Sequence, residues 1–210
     1  MNKYILRFLT LFWLMMILAL CQYHHQPDPS PPVRFTKLDN DGTAMQLWHG
    51  PWACVLDKNT GLIWENKTDD ESIHDGLWTY SWFNPTLNKG KPNNGDCYFE
   101  SARCDTSDLI RKANQLGRCG INNWRLPTAK ELLSLVHYDP KTGMPKIQND
   151  FFSHTKRGDY WTADHNKSLT GVYQHLHQGA IAINFIDGSP IVIPYRNAAF
   201  VRLVAGPNTP

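Results

Sequence analysis

Several signatures of common function classes are missing from this sequence. No Cys-x-x-Cys pair occurs, and the spacings between Cys54, Cys97, Cys104 and Cys119 fit no common zinc finger. No Gly-x-Ser-x-Gly elbow is present, so nothing makes a Ser/His/Asp triad specific despite nine histidines. Internal repeats and coiled-coil heptads are absent, which sets aside solenoids and long rods. An excess of one charge is missing too. The chain has 21 basic and 19 acidic residues, and Lys3 and Arg7 lie in an N-terminal leader, so the remainder is balanced. That excludes a global electrostatic footprint for nucleic acid or an anionic polymer, while leaving room for a local basic patch. Asp39 and Asp41 begin like a calcium loop, but no acidic ligand follows at the required spacing, so Asp39-Asn40-Asp41-Gly42 reads as a turn. No metal and no cofactor is expected.

The longest uncharged run, Phe8 to Cys21, follows Lys3 and Arg7. Its helical length of ~21 Å falls short of a ~30 Å hydrocarbon layer, so residues 1–21 read as an export signal. Ala19-Leu20-Cys21 offers a small-x-small cleavage site that would leave Gln22 first. Leu18-Ala19-Leu20-Cys21 also resembles a lipobox, which would leave Cys21 lipidated, although Leu20 is large for that motif. An uncleaved anchor is the third possibility. Membrane contact is expected only through this segment. Residues 22–33 carry four prolines and read as an extended spacer. The folded domain is expected over 34–206.

Four cysteines in an exported domain imply two disulfides. Thr106 to Leu116 has Leu109, Ile110, Ala113 and Leu116 at helical spacing, with Thr106 as cap and Gly117 as stop. That helix holds its ends ~15 Å apart, so a Cys104–Cys119 bridge is disfavoured. Two pairings remain: Cys54–Cys119 with Cys97–Cys104, or Cys54–Cys104 with Cys97–Cys119. The first is preferred because Cys97–Cys104 closes a short loop.

Strands are expected at 53–57 and 62–65, joined through Lys58-Asn59-Thr60-Gly61, and at 180–185, 191–193 and 200–204. Asp139 to Gly143 reads as a turn. Asn122-Asn123-Trp124-Arg125-Leu126-Pro127-Thr128 places Trp124 and Leu126 on one side of an extended segment and Arg125 on the other. Thr128 and Glu131 then form a capping box that starts a second helix. Strands on both sides of two helices define an α+β domain.

These residues carry a resemblance. Cys54-Val55-Leu56-Asp57, Thr60-Gly61-Leu62-x-Trp64-Glu65, Tyr80-Ser81-Trp82, Cys119-Gly120, Trp124-Arg125-Leu126-Pro127-Thr128, Tyr160-Trp161-Thr162 and Val201-Arg202-Leu203-Val204 occur in one order. Together they resemble the domain of unknown function 1566, also called the Lcl C-terminal domain after the Legionella collagen-like adhesin. The family's Arg-Leu-Pro-Thr signature is similar to that of formylglycine-generating enzymes. The resemblance therefore implies a single compact C-type-lectin-like α+β domain with short antiparallel strands, two main helices and two disulfides. Those oxidases need reactive cysteines late in the domain, and no cysteine follows Cys119, so an enzyme is not expected. The adhesin implies binding of a sulfated polysaccharide. This chain lacks the collagen-like Gly-x-y region that would trimerise such a module.

Two functions are carried forward. One is an exported module of the periplasm, outer membrane or cell surface that recognises a glycan or a surface partner. The other is an accessory protein of the envelope or a surface fibre that contacts other proteins. Candidate ligand residues are Trp48 and Trp52 in an irregular Leu-Trp-His-Gly-Pro-Trp segment, with Tyr160, Asp164, His165, His175, His177 and Arg196 on expected loops and strand ends. His175 and His177 would share one face of a strand, and a surface strand is preferred to a metal site.

Overall fold

The computed structural model describes residues 3–24, 33–138 and 144–206. The turn expected at 139–143, and spacer residues 25–32, lie outside the described residues. The chain divides into two units, 1–33 and 34–210. In the first, helix α1 spans Lys3–His24, so the helix continues three residues past the apolar run. Among the described residues no helix is long and apolar enough to cross a membrane.

The second unit is built on two small antiparallel sheets. Strand β1 (Phe35–Leu38) pairs with β2 (Cys54–Asp57), β2 with β3 (Ile63–Glu65), and β3 with the C-terminal strand Val204–Ala205, giving a four-stranded sheet. The β2–β3 turn follows from its residues. The Asp57 carboxylate accepts the Asn59 amide, and Gly61 takes φ +73°, in the left-handed region open to glycine. Strands β4 (Phe83–Asn84) and β5 (Lys89–Gly90) make a short hairpin. In the other sheet the seven-residue β8 (Gln178–Asn184) is central. It pairs on one side with β6 (Asp159–Trp161) and β7 (Lys167–Ser168), and on the other with β9 (Pro190–Pro194), which begins and ends on proline. Val204–Ala205 is β10.

The period of two along each strand sorts side chains between two apolar cores. Cys54, Ile63, Ala182 and Ala205 face a core with Trp78, Tyr80, Trp82, Trp124 and Trp161. Val55, Trp64, Ile183 and Val204 face the other, with Phe35, Leu132, Phe151, Phe152, Tyr160 and Phe185. The inner strands of both sheets are therefore covered on both faces, while β7 and the start of β9 are exposed, and this explains why β2 and β8 read as nearly continuous apolar runs.

Helix α2 spans Thr106–Leu116, as the periodicity implies, but its N-cap is Asp105. The Asp105 carboxylate accepts the amides of Ser107 and Asp108, while the Thr106 hydroxyl is turned away to bond Phe83. Gly117 closes the helix at φ +65°. Helix α3 (Ala129–Leu133) is only five residues long and opens with the expected capping box. The strand expected at 200–204 is reduced to β10. Upstream of it, Ala199 and Phe200 make single bridges to Tyr80 and Tyr160. The segment around His175 is a 3-10 helix (Gly171–Leu176) rather than a strand, and His177 has φ +62°. Disulfides join Cys54 to Cys119 and Cys97 to Cys104, with Cα separations of 6.5 and 5.6 Å.

Candidate functional site

Two clefts open on the second unit. The larger, of about 850 Å³, is walled by the Asp39–Asp41 turn, Trp52, the Asn66–His74 loop, the end of α2 and the Ser153–His154 turn. Its walls are held locally. The Asp39 carboxylate accepts the amides of Asp41 and Thr43, and Cys119 donates its amide to the Asn40 carbonyl. Gly42 lies so close to Cys119 that a Cβ there would sit 2.7 Å from the Cys119 carbonyl oxygen. The Cys54–Cys119 bridge thus fixes the turn and the end of α2 against β2. Asn66 donates to the Trp52 carbonyl and the Ser153 hydroxyl, tying the third wall in place.

A buried charge cluster underlies this cleft. Glu65 is fully buried, and its Oε1 accepts Lys67 Nζ at 2.9 Å and pairs with His74 Nδ1 at 2.7 Å. Its Oε2 accepts the Leu203 amide at 2.9 Å. Burial alone would raise the Glu65 carboxyl, but Lys67, His74 and the amide together pull it well below the usual carboxylate range. Glu65 is therefore an acceptor, and His74 Nδ1 carries the proton between them. Lys67 also moves down: burial, with Arg202 and Arg118 nearby, outweighs its single carboxylate partner. His74 is lowered by burial and is neutral at pH 7. The Arg202 guanidinium is fully buried over the Phe152 ring and donates to the Glu65 carbonyl and the Thr155 hydroxyl.

The smaller cleft, about 640 Å³, lies beside the Trp-Arg-Leu-Pro-Thr segment and is lined by Trp82, Asn84, Ile110, Arg125, Glu131 and His165. Trp124 and Leu126 are buried on one side, as their alternation implies, and Arg125 lies on the other. Its two terminal nitrogens grip both oxygens of Glu131 at 2.8 and 2.7 Å. Glu131 Oε2 also accepts the Thr128 amide at 2.7 Å. Arg125 is thus the outer clamp of the capping box.

The eight candidate ligand residues do not converge. Trp52 lines the larger cleft, with its indole N–H donated to the Phe151 carbonyl and Lys37 Nζ 3.6 Å over its ring. Trp48 is 78% exposed and touches the neighbouring His49 edge-on. Tyr160 is 1% exposed, and its hydroxyl bonds the Lys156 backbone, so it belongs to the core and presents no ligand surface. Burial pushes its phenol up to about 12. Asp164 accepts the first amide of α3, from Ala129, at 2.6 Å, which is a capping role. His165 stacks on Trp82 in the smaller cleft. His175, His177 and Arg196 are exposed outside both clefts. No group of three or more His, Cys, Asp or Glu able to hold a metal occurs among the described residues.

Sequence reasoning missed Lys67, His74 and Arg118, which line the larger cleft. The one available signal was a charged residue inside an apolar strand pattern, Glu65 after Trp64 and Arg202 between Val201 and Leu203.

A family model, the Lcl C-terminal domain, matches residues 53–205. The chain belongs to that family. Comparison with curated proteins and with solved structures returns no match.

Proposed function

We infer that this protein is an exported, adhesin-like surface module that binds a glycan or a glycosylated surface partner and performs no catalysis. The observation that carries this reading is the larger cleft. It is open, walled by loops that a disulfide pins, and lined by carboxylates, amides, hydroxyls and Trp52. Sugar recognition uses such groups, with polar side chains for hydroxyls and an aromatic for a ring face. The disulfides and the family support an extracellular setting. The cysteines at 54, 97, 104 and 119 are all bridged, so none of them is a thiolate nucleophile. In the cleft, the Ser153 hydroxyl is held by Asn66 and the His74 imidazole by Glu65, so they do not form a nucleophile–base pair. A glycan array probed with the disulfide-intact protein tests the reading. Retention on a defined class of saccharides is expected. Flat binding across anionic, neutral and cell-wall glycans would overturn it in favour of a protein-contact role.

A further inference from the structure

The lining of the larger cleft holds donors that no acceptor among the described residues satisfies. Lys67 is 3% exposed, and among the described residues only one of its three ammonium protons has a partner, Glu65. Arg118, at the end of α2, makes no side-chain hydrogen bond among the described residues, and its Nε is buried without a partner. The buried acids nearby are already committed. Glu65 serves Lys67, His74 and the Leu203 amide, and Asp75 accepts the amides of Glu71 and Leu77. A buried guanidinium N–H without an acceptor is costly, and a carboxylate is a fitting partner for it.

The rim has the opposite sign. Asp41, Asp69 and Asp70 line the same cleft and are exposed, and Asp39 beside them is partly exposed. Asp70 is kept ionised by the Thr68 and Ser72 hydroxyls, which hold its carboxyl at about 2. A polyanion laid across this cleft meets three exposed aspartates, whereas Lys67 is buried and Arg118 only partly exposed. A single carboxylate on an otherwise neutral ring can pass the rim and reach the floor, and the ring hydroxyls can then donate to the rim carboxylates. Both features select for one inserted negative charge and against a dense row of them.

We propose that the larger cleft binds a terminal acidic sugar, a uronic-acid type carrying one carboxylate, with that carboxylate on Arg118 and Lys67 and its hydroxyls on the aspartate rim. This deepens the glycan-binding reading and rests on it. The ligand differs from the sulfated polysaccharide that the family resemblance implies.

Calorimetry on the full-length, disulfide-intact protein tests it with methyl glucuronide, methyl glucoside and a heparin tetrasaccharide. The glucuronide is expected to bind, the glucoside to bind at least about tenfold more weakly, and Arg118→Gln to weaken the glucuronide by about tenfold or more, the scale of one charged hydrogen bond. The Arg118 side chain has no hydrogen-bond partner to lose among the described residues, so this variant is expected to fold; Lys67→Met, which strands Glu65, is a second probe read only if its thermal melt is retained. The rim is tested by Asp41→Asn with Asp69→Asn, which is expected to raise heparin binding. Equal binding of glucoside and glucuronide, or glucuronide binding unchanged by Arg118→Gln, would overturn this proposal. It would leave the broader glycan reading standing. Failure of all three probes together with a flat glycan array would overturn both.

Discussion

Glu65 shows how one residue can govern a whole region. Its carboxylate has three partners, from β3's own continuation, from the 66–76 loop and from the C-terminal run. Removing one member of a buried charged group leaves the others uncompensated, so Glu65→Gln is expected to cost about 3–5 kcal/mol at pH 7 by urea denaturation. The pH dependence follows from the directions of the shifts. The Glu65 carboxyl is lower in the folded state than in the unfolded chain. Its contribution is therefore complete above the unfolded range, about 4.3, and is lost as pH falls through the folded value. The wild-type advantage over Glu65→Gln should shrink below about pH 4. His74 is also lowered in the fold, so the unfolded chain takes up that proton first, and stability should begin to fall as pH drops below about 6.5. A stability profile flat from pH 8 to 5 would contradict the neutral, buried His74.

At the scale of elements, caps carry more weight than lengths. Asp105 satisfies two amides of α2 and the Asn93 amide as well. Asp105→Ala is expected to cost about 1–2 kcal/mol, whereas a cap role for Thr106 would have placed the loss there. The five-residue α3 depends on the Arg125–Glu131 clamp and on Asp164. Lysine cannot reproduce the two-pronged grip, so Arg125→Lys is expected to lose about 0.5 kcal/mol, a small effect because the Arg125 side chain is 43% exposed. Urea midpoints of both variants check this. What was legible in the sequence follows the same division. Helix α2, the β2–β3 turn and the capping box are set by contacts within a few residues, so their patterns predict them. The C-terminal run is apolar and its pattern alone implies one strand. Its partners, Tyr80, Tyr160, Arg125 and Trp64, are supplied by four distant segments, and local alternation carries no information about them. Tyr160 is buried for a related reason: its ring packs against Phe185 and Phe200, which come from distant segments. The donor-lined cleft was invisible because Lys67 and Arg118 are 51 positions apart in the sequence and meet only in the fold.

For the whole molecule, the two disulfides do different things. Cys97–Cys104 closes a loop of separation 7, while Cys54–Cys119 spans 65 positions and ties β2 to the end of α2. Chain-entropy arguments give about 2.5 and about 4 kcal/mol respectively. Replacing Cys54 and Cys119 by serine should therefore lower the melting temperature more than replacing Cys97 and Cys104. It should also weaken ligand binding, because the longer bridge anchors two walls of the larger cleft. An equal thermal shift for the two pairs would contradict this ranking. Strand β9 has a consequence of another kind. It pairs with β8 alone among the named strands, which leaves it an edge. Ile191 and Val192 are the sort of residues that recruit a strand from a neighbouring molecule. Pro190 and Pro194 bracket them and offer no N–H to such a strand. Strand addition by a neighbouring molecule is thus blunted along this edge, whatever the concentration at which the domain is held.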